Sequence, residues 1–180
     1  MRRALILLAL FAVGLGGCGS SRTLGSSFSD IGADAALKGV LFSDRRYDYS
    51  DVDLTIYGGR LMLTGTMRSE EGRQRLLENA WKADAVSQVI DEVLIDDKTS
   101  IGQGFEDSRI DQTLRAKMIA DGGVASGNYK ISVSKGVVYI IGVARDEIEL
   151  DEVLTMARSI GGVDKVVSHA LYRNAAPAVQ

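Results

Sequence analysis

The chain has 180 residues, 46% hydrophobic and 25% charged, with a formal net charge of −3. These are the proportions of an ordinary globular protein, and the length suits one medium domain or two small ones. A negative balance excludes a general nucleic-acid footprint, while a single Cys and a single His exclude an intrachain disulfide and a Cys/His metal cluster.

Met1, Arg2 and Arg3 give a basic start, residues 4–13 are almost unbroken in their apolarity, and Leu15, Gly16, Gly17 and Cys18 follow. This layout predicts a secretory signal, too short for a membrane-spanning helix. Arg2 and Arg3 suggest the twin-arginine route, but their surroundings fit a general secretory signal better. A lone thiol is ordinarily a buried structural Cys, yet Cys18 precedes any foldable segment. Residues 15–18 resemble the lipobox of bacterial lipoproteins, which implies removal of residues 1–17 and acylation of Cys18. Two or more acyl chains anchor a protein stably. Gly19, where the enteric-type retention rule has Asp, implies the outer membrane, facing the periplasm. Residues 18–29 then form a lipidated N-terminus and a Ser- and Gly-rich tether.

A shift of 77 positions lays the rest of the chain over itself without a gap. Leu37 falls on Leu114, Gly59 on Gly136, Gly65 on Gly142, Glu70 on Glu147, Leu77 on Leu154 and Val89 on Val166. Each copy opens with an amphipathic helix, carrying Leu37, Val40 and Leu41 in the first and Ile110, Leu114 and Met118 in the second. Two alternating strands follow: Val52, Leu54 and Ile56, then Leu61 and Leu63; Ile131 and Val133, then Val138 and Ile140. Gly58-Gly59 and Lys135-Gly136 are the hairpin turns between them. Gly65 and Gly142 are expected to end the second strands. Ser69 and Asp146 then cap a further helix in each copy. Its apolar stripe is Leu76, Leu77 and Ala80 in the first, and Leu150, Val153, Leu154 and Ala157 in the second. A last strand closes each unit, over residues 89–95 and 166–172.

The order is αββαβ, twice. The expected fold is α+β, each unit a three-stranded mixed sheet with one apolar face covered by two helices. Residues 30–97 and 106–173 make the two domains, residues 98–105 a Gly-bearing linker, and residues 174–180 a tail.

The stretches at residues 59–65 and 136–142, each followed some twenty residues later by a turn and valines (Val86 and Val89; Val163 and Val166), resemble the BON domain. Lipobox, paired domains and the Ile101-Gly102-Gln103-Gly104 linker together are similar to the dual-BON outer-membrane lipoproteins, which bind lipid and support the envelope barrier. The resemblance implies that the second domain binds anionic phospholipid through its first helix, at Arg109, Gln112, Thr113, Arg115, Ala116 and Lys117. On a helix, Arg109 and Lys117 lie about 80° apart with Arg115 on the other flank, a loose patch. The family's membrane-inserting aromatic falls where this chain has Arg109, so binding is expected to be more electrostatic and salt-sensitive. A plain solvated helix face is the competing reading.

Residues 34–97 hold 8 basic and 13 acidic side chains, and residues 106–173 hold 9 and 10, so the second copy is better suited to anionic lipid. Against that, Glu147, Glu149, Asp151 and Glu152 are expected to make the outer face of its later helix acidic. His169, in a final strand without a Cys partner or Ser nucleophile motif, reads as a strand-surface residue, not a base. The Gly14–Gly17 and Gly102–Gly104 stretches do not join a strand to a helix as a phosphate loop must. Trp81 reads as partly buried, with an interface contact as the alternative. The expectation is a non-enzymatic, cofactor-free module contacting membrane through Cys18 and anionic phospholipid through its second domain. The rival is a periplasmic adaptor or chaperone-like factor for outer-membrane assembly proteins.

Overall fold

The computed structural model describes residues 38–39, 46–83, 86–96 and 101–173. Cys18 and the stretches expected to be signal and tether lie outside these residues, as do Leu37, Val40 and Leu41. The described elements are β1 (Val52–Tyr57), β2 (Arg60–Met67), α1 (Glu70–Ala80), β3 (Gln88–Ile95), α2 (Ile101–Ala120), a 3-10 turn (Ser126–Asn128), β4 (Tyr129–Ser134), β5 (Val137–Ala144), α3 (Glu147–Arg158) and β6 (Lys165–Tyr172). They form two three-stranded sheets, β1-β2-β3 and β4-β5-β6, an α+β fold. In each, the hairpin pair is antiparallel and the pair joined through a helix is parallel. Both hairpin turns place two consecutive residues at positive φ: Gly58 at 59° and Gly59 at 77°, Lys135 at 51° and Gly136 at 74°. That conformation matches the right-handed twist of the flanking strands.

Ser69 and Asp146 cap α1 and α3, accepting from the backbone N–H of Gly72 and Glu149 respectively. Leu76 and Ala80 of α1, and Leu150, Val153 and Ala157 of α3, are buried against the sheets. On α2, Ile110, Leu114 and Met118 are almost fully buried. This helix already begins at Ile101, within the stretch that reads as a linker. Each helical Gly costs about 1 kcal/mol against Ala. Burying Ile110, Leu114 and Met118, at about 1.5–3 kcal/mol each, stabilises the helix as a whole by more than that.

Gly65 and Gly142 do not end their strands. β2 continues to Met67 and β5 to Ala144. A Cβ on Gly65 would lie 2.0 Å from the Asp51 carbonyl oxygen, and one on Gly142 2.1 Å from that of Asn128. These glycines let the chain entering the first strand cross against the second.

One expectation about the sheets needs correction. Each has two buried faces, not one. The helix-covered faces make two cores, around Leu61, Leu63 and Leu76 in the first unit and around Ile110, Val138, Ile140 and Val153 in the second. A third core lies between the sheets, built from Met62 and Ile90 on one side and Tyr139 and Ile141 on the other. Its edges are hydrogen-bonded. Thr64 and Ser132 share a bond of 2.7 Å, and the Ser132 hydroxyl also lies 2.9 Å from an Asp53 carboxylate oxygen. The Lys130 ammonium donates to the Ile56 carbonyl, and Lys135 pairs with Asp96. Across β3 and β6, His169 Nε2 lies 2.8 Å from Glu92, while Arg60 donates to the His169 carbonyl at 2.8 Å. Glu92 and His169 are 77 positions apart, so they are the same position of the repeat. Met62 and Tyr139 are likewise equivalent, as are Ile90 and Val167. Equivalent residues meet only about a two-fold axis, so the pairing is isologous.

Candidate functional site

The second unit's first helix, α2, presents the residues that the resemblance singles out. Ile110, Leu114 and Met118 fix its rotation by facing the core. With Phe105 set at zero and about 100° per residue, Gln112, Ala116 and Ile119 fall within about 40° of it, opposite the buried row. Phe105 is 73% exposed and Ile119 74%. They stand about 21 Å apart along the helix. Arg109 flanks this ridge on one side at about 40°, with Lys117 beyond it at about 120°; Arg115 lies on the other side at about 80°.

The cations are not equally available. Arg109 donates to Glu106 at 3.0 Å and to the Gly161 carbonyl at 2.6 Å. Arg115 donates through Nε and Nη2 to the two oxygens of Asp111, both at 2.8 Å, and through Nη2 to the Ile131 carbonyl. Lys117 donates to the Ser159 hydroxyl at 3.0 Å and has no carboxylate partner among the described residues. Arg109 and Lys117 thus tie α2 to the turn after α3, and Arg115 ties it to β4. Thr113 donates back to the Arg109 carbonyl at 2.7 Å, so its hydroxyl serves the helix. Gln112 and Ala116 are exposed on the ridge.

Sequence reasoning missed Phe105 and Ile119. Their signal was the seven-residue spacing of Phe105, Gln112 and Ile119, which returns to nearly one helix face every two turns. It is hidden because this apolar pair faces away from the stripe that forms the core.

Behind α2 a cleft of about 500 Å³ opens towards the first unit, lined by Asp51, Asp53, Asp107, Asp111, Arg115 and Lys135 among others. Three of these carboxylates are engaged. Asp107 accepts from the backbone N–H groups of Lys135 and Gly136, Asp53 bonds Ser132, and Asp111 holds Arg115. His169 is not a simple strand-surface residue, because it bonds Glu92 across the two-fold interface. Trp81 caps the C-terminal end of α1 and is 57% exposed.

Glu149 departs from its expected place on an outer acidic face. It is fully buried, accepting from the backbone N–H groups of Ala125 and Arg145. As the third residue of α3 behind the Asp146 cap, it reaches back past the helix start. Burial, reinforced by the Glu149 charge, pushes the Tyr129 hydroxyl well above its ordinary value. Among the described residues there is no group of three or more His, Cys, Asp or Glu side chains placed to hold a metal, and no helix long and apolar enough to cross a membrane.

The chain is similar to an uncharacterized protein in the gshII 5′ region of Anaplasma centrale, 33% identical over 122 residues, covering 67% of this chain and 81% of that one. It is 24% identical over 147 residues to outer membrane lipoprotein DolP of Haemophilus influenzae, covering 81% and 76%. It is 23% identical over 149 residues to osmotically-inducible protein Y of Escherichia coli, covering 82% and 74%. The BON domain model matches residues 29–97 and again residues 106–174. With both halves of the repeat matched, and each folded around its own three-stranded mixed sheet, the chain belongs to the BON domain family, which it carries in tandem.

Proposed function

We propose that this protein is an envelope lipoprotein, held in the outer membrane through Cys18 and facing the periplasm, whose second BON domain lies on anionic phospholipid without catalysing a reaction. The observation carrying this reading is the α2 ridge: Phe105 and Ile119 fully outward, with Arg109, Arg115 and Lys117 on its flanks. An interfacial helix needs this pairing of exposed apolar side chains with basic neighbours. Phe105 sits one helical turn before Arg109 on nearly the same face, so it supplies the aromatic that the position of Arg109 lacks. The relationship to a protein named outer membrane lipoprotein supports the compartment.

Magnitudes explain why an anchor would be needed. Two partly inserted apolar side chains contribute about 2–4 kcal/mol, and each available cation about 1 kcal/mol. The sum corresponds to binding in roughly the millimolar to hundred-micromolar range. Such a site works only where a tether raises its local concentration. The test is co-sedimentation of residues 20–180 with vesicles of phosphatidylcholine alone or with phosphatidylglycerol. Binding is expected only with the anionic lipid, weakened several-fold by Lys117→Gln and largely abolished by Phe105→Ser with Ile119→Ser. Equal binding to both vesicle types, or no response to these substitutions, would overturn the reading.

A further inference from the structure

We propose that the groove between the first half of α3 and the end of β6 docks a basic amphipathic segment of a partner protein. The groove has a volume of about 430 Å³, with Leu150, Leu154 and Tyr172 in its wall and Ile148 at its lip. Ile148 is 72% exposed and Tyr172 43% exposed, a large apolar outlay for a helix otherwise covered in acids. Glu147, Asp151 and Glu152 rim the same groove, exposed and without an ion pair among the described residues. The neighbouring cation, Arg145, is engaged by Asp146 and the buried Glu149.

The first unit is an internal control, because the same place in its fold lacks these properties. Glu147 corresponds to Glu70, which accepts from Arg73 and Gln74. Ile148 corresponds to Glu71, which accepts from the Tyr47 hydroxyl. Asp151 and Glu152 correspond to Gln74 and Arg75, and Arg75 pairs with Glu78. One copy therefore satisfies its own charges, and the other leaves carboxylates open around an apolar floor. An anionic membrane would be repelled here. A basic helix with one apolar face supplies both missing complements, with cations for the rim and an aliphatic edge against Ile148, Leu154 and Tyr172.

The test uses residues 20–180 and a fluorescent amphipathic Lys/Leu peptide of about 18 residues, beside an isomer with its leucines scattered around the helix. Fluorescence anisotropy should show preferential binding of the amphipathic form. Asp151→Gln with Glu152→Arg, which copies the first unit, should weaken binding about tenfold. Ile148→Ser should weaken it separately, with unchanged circular dichroism for both variants. Peptide-induced NMR shifts should centre on Ile148, Leu154 and Tyr172. Equal affinity for both peptides, indifference to the substitutions, or shifts centred on α2 would overturn the proposal. So would a gain in the wild-type protein's binding to anionic vesicles at the expense of the peptide.

Discussion

At the scale of single residues, the glycines divide sharply by what surrounds them. Gly142 has no room for a side chain, since a Cβ would meet the Asn128 carbonyl oxygen at 2.1 Å, whereas Gly104 sits in a helix with nothing within 4 Å. Gly142→Ala should therefore cost about 3 kcal/mol or more, lowering the melting temperature by upwards of about 10 °C. Gly104→Ala should instead stabilise by up to about 1 kcal/mol, because the residue is already helical and open. Calorimetry on the two variants separates the cases, and equal responses would refute the crossing-chain account. The repeat shows that Gly65 and Gly142 matter, but a sequence does not show which backbone passes in front of them. Glu149 was misplaced for a related reason. Its position on the helix says only that it follows the cap, while its burial comes from the 125 loop folding over it.

At the scale of the element, the capped starts of α1 and α3 were readable, while the start of α2 and the outward faces were not. Asp146 combines a cap with a charge pair. The Arg145 guanidinium, and then the Glu149 backbone N–H, hold its carboxyl below the usual range. A group with a lowered folded pKa adds stability that is complete above its unfolded value, near 3.8, and is lost as pH falls through the folded value. Asp146→Asn keeps a capping side chain without the titration. The melting temperature of the wild type should accordingly fall further than that of the variant as pH drops below about 4, and parallel curves would contradict this. α2 shows where legibility stops. Its buried stripe of Ile110, Leu114 and Met118 follows directly from periodicity, because burial imposes a single repeating face. Phe105 and Ile119 obey the same period on the opposite face, where nothing in the sequence says what covers them.

At the scale of the whole molecule, the paired strand–strand–helix–strand order was legible because each copy repeats its turn and cap chemistry. The sheet-to-sheet core was not. Leu61, Met62, Leu63 and Thr64 are consecutive buried residues, as are Val138, Tyr139, Ile140 and Ile141. Such runs mark strands covered on both sides, yet alternation within the hairpins suggests one covered face. Tyr139→Asp would place a charge in this third core and should part the two units. Small-angle scattering would then report a larger radius of gyration, and thermal unfolding should split into two transitions. A compact, single-transition variant would show that the edge bonds alone hold the units together.

The meeting of Glu92 with His169 carries a further consequence. A surface that recognises its own duplicate would, on a one-copy protein, assemble only when enough molecules were present. Fusing the two copies in one polypeptide makes that encounter independent of abundance, so even a scarce molecule keeps its central seam closed.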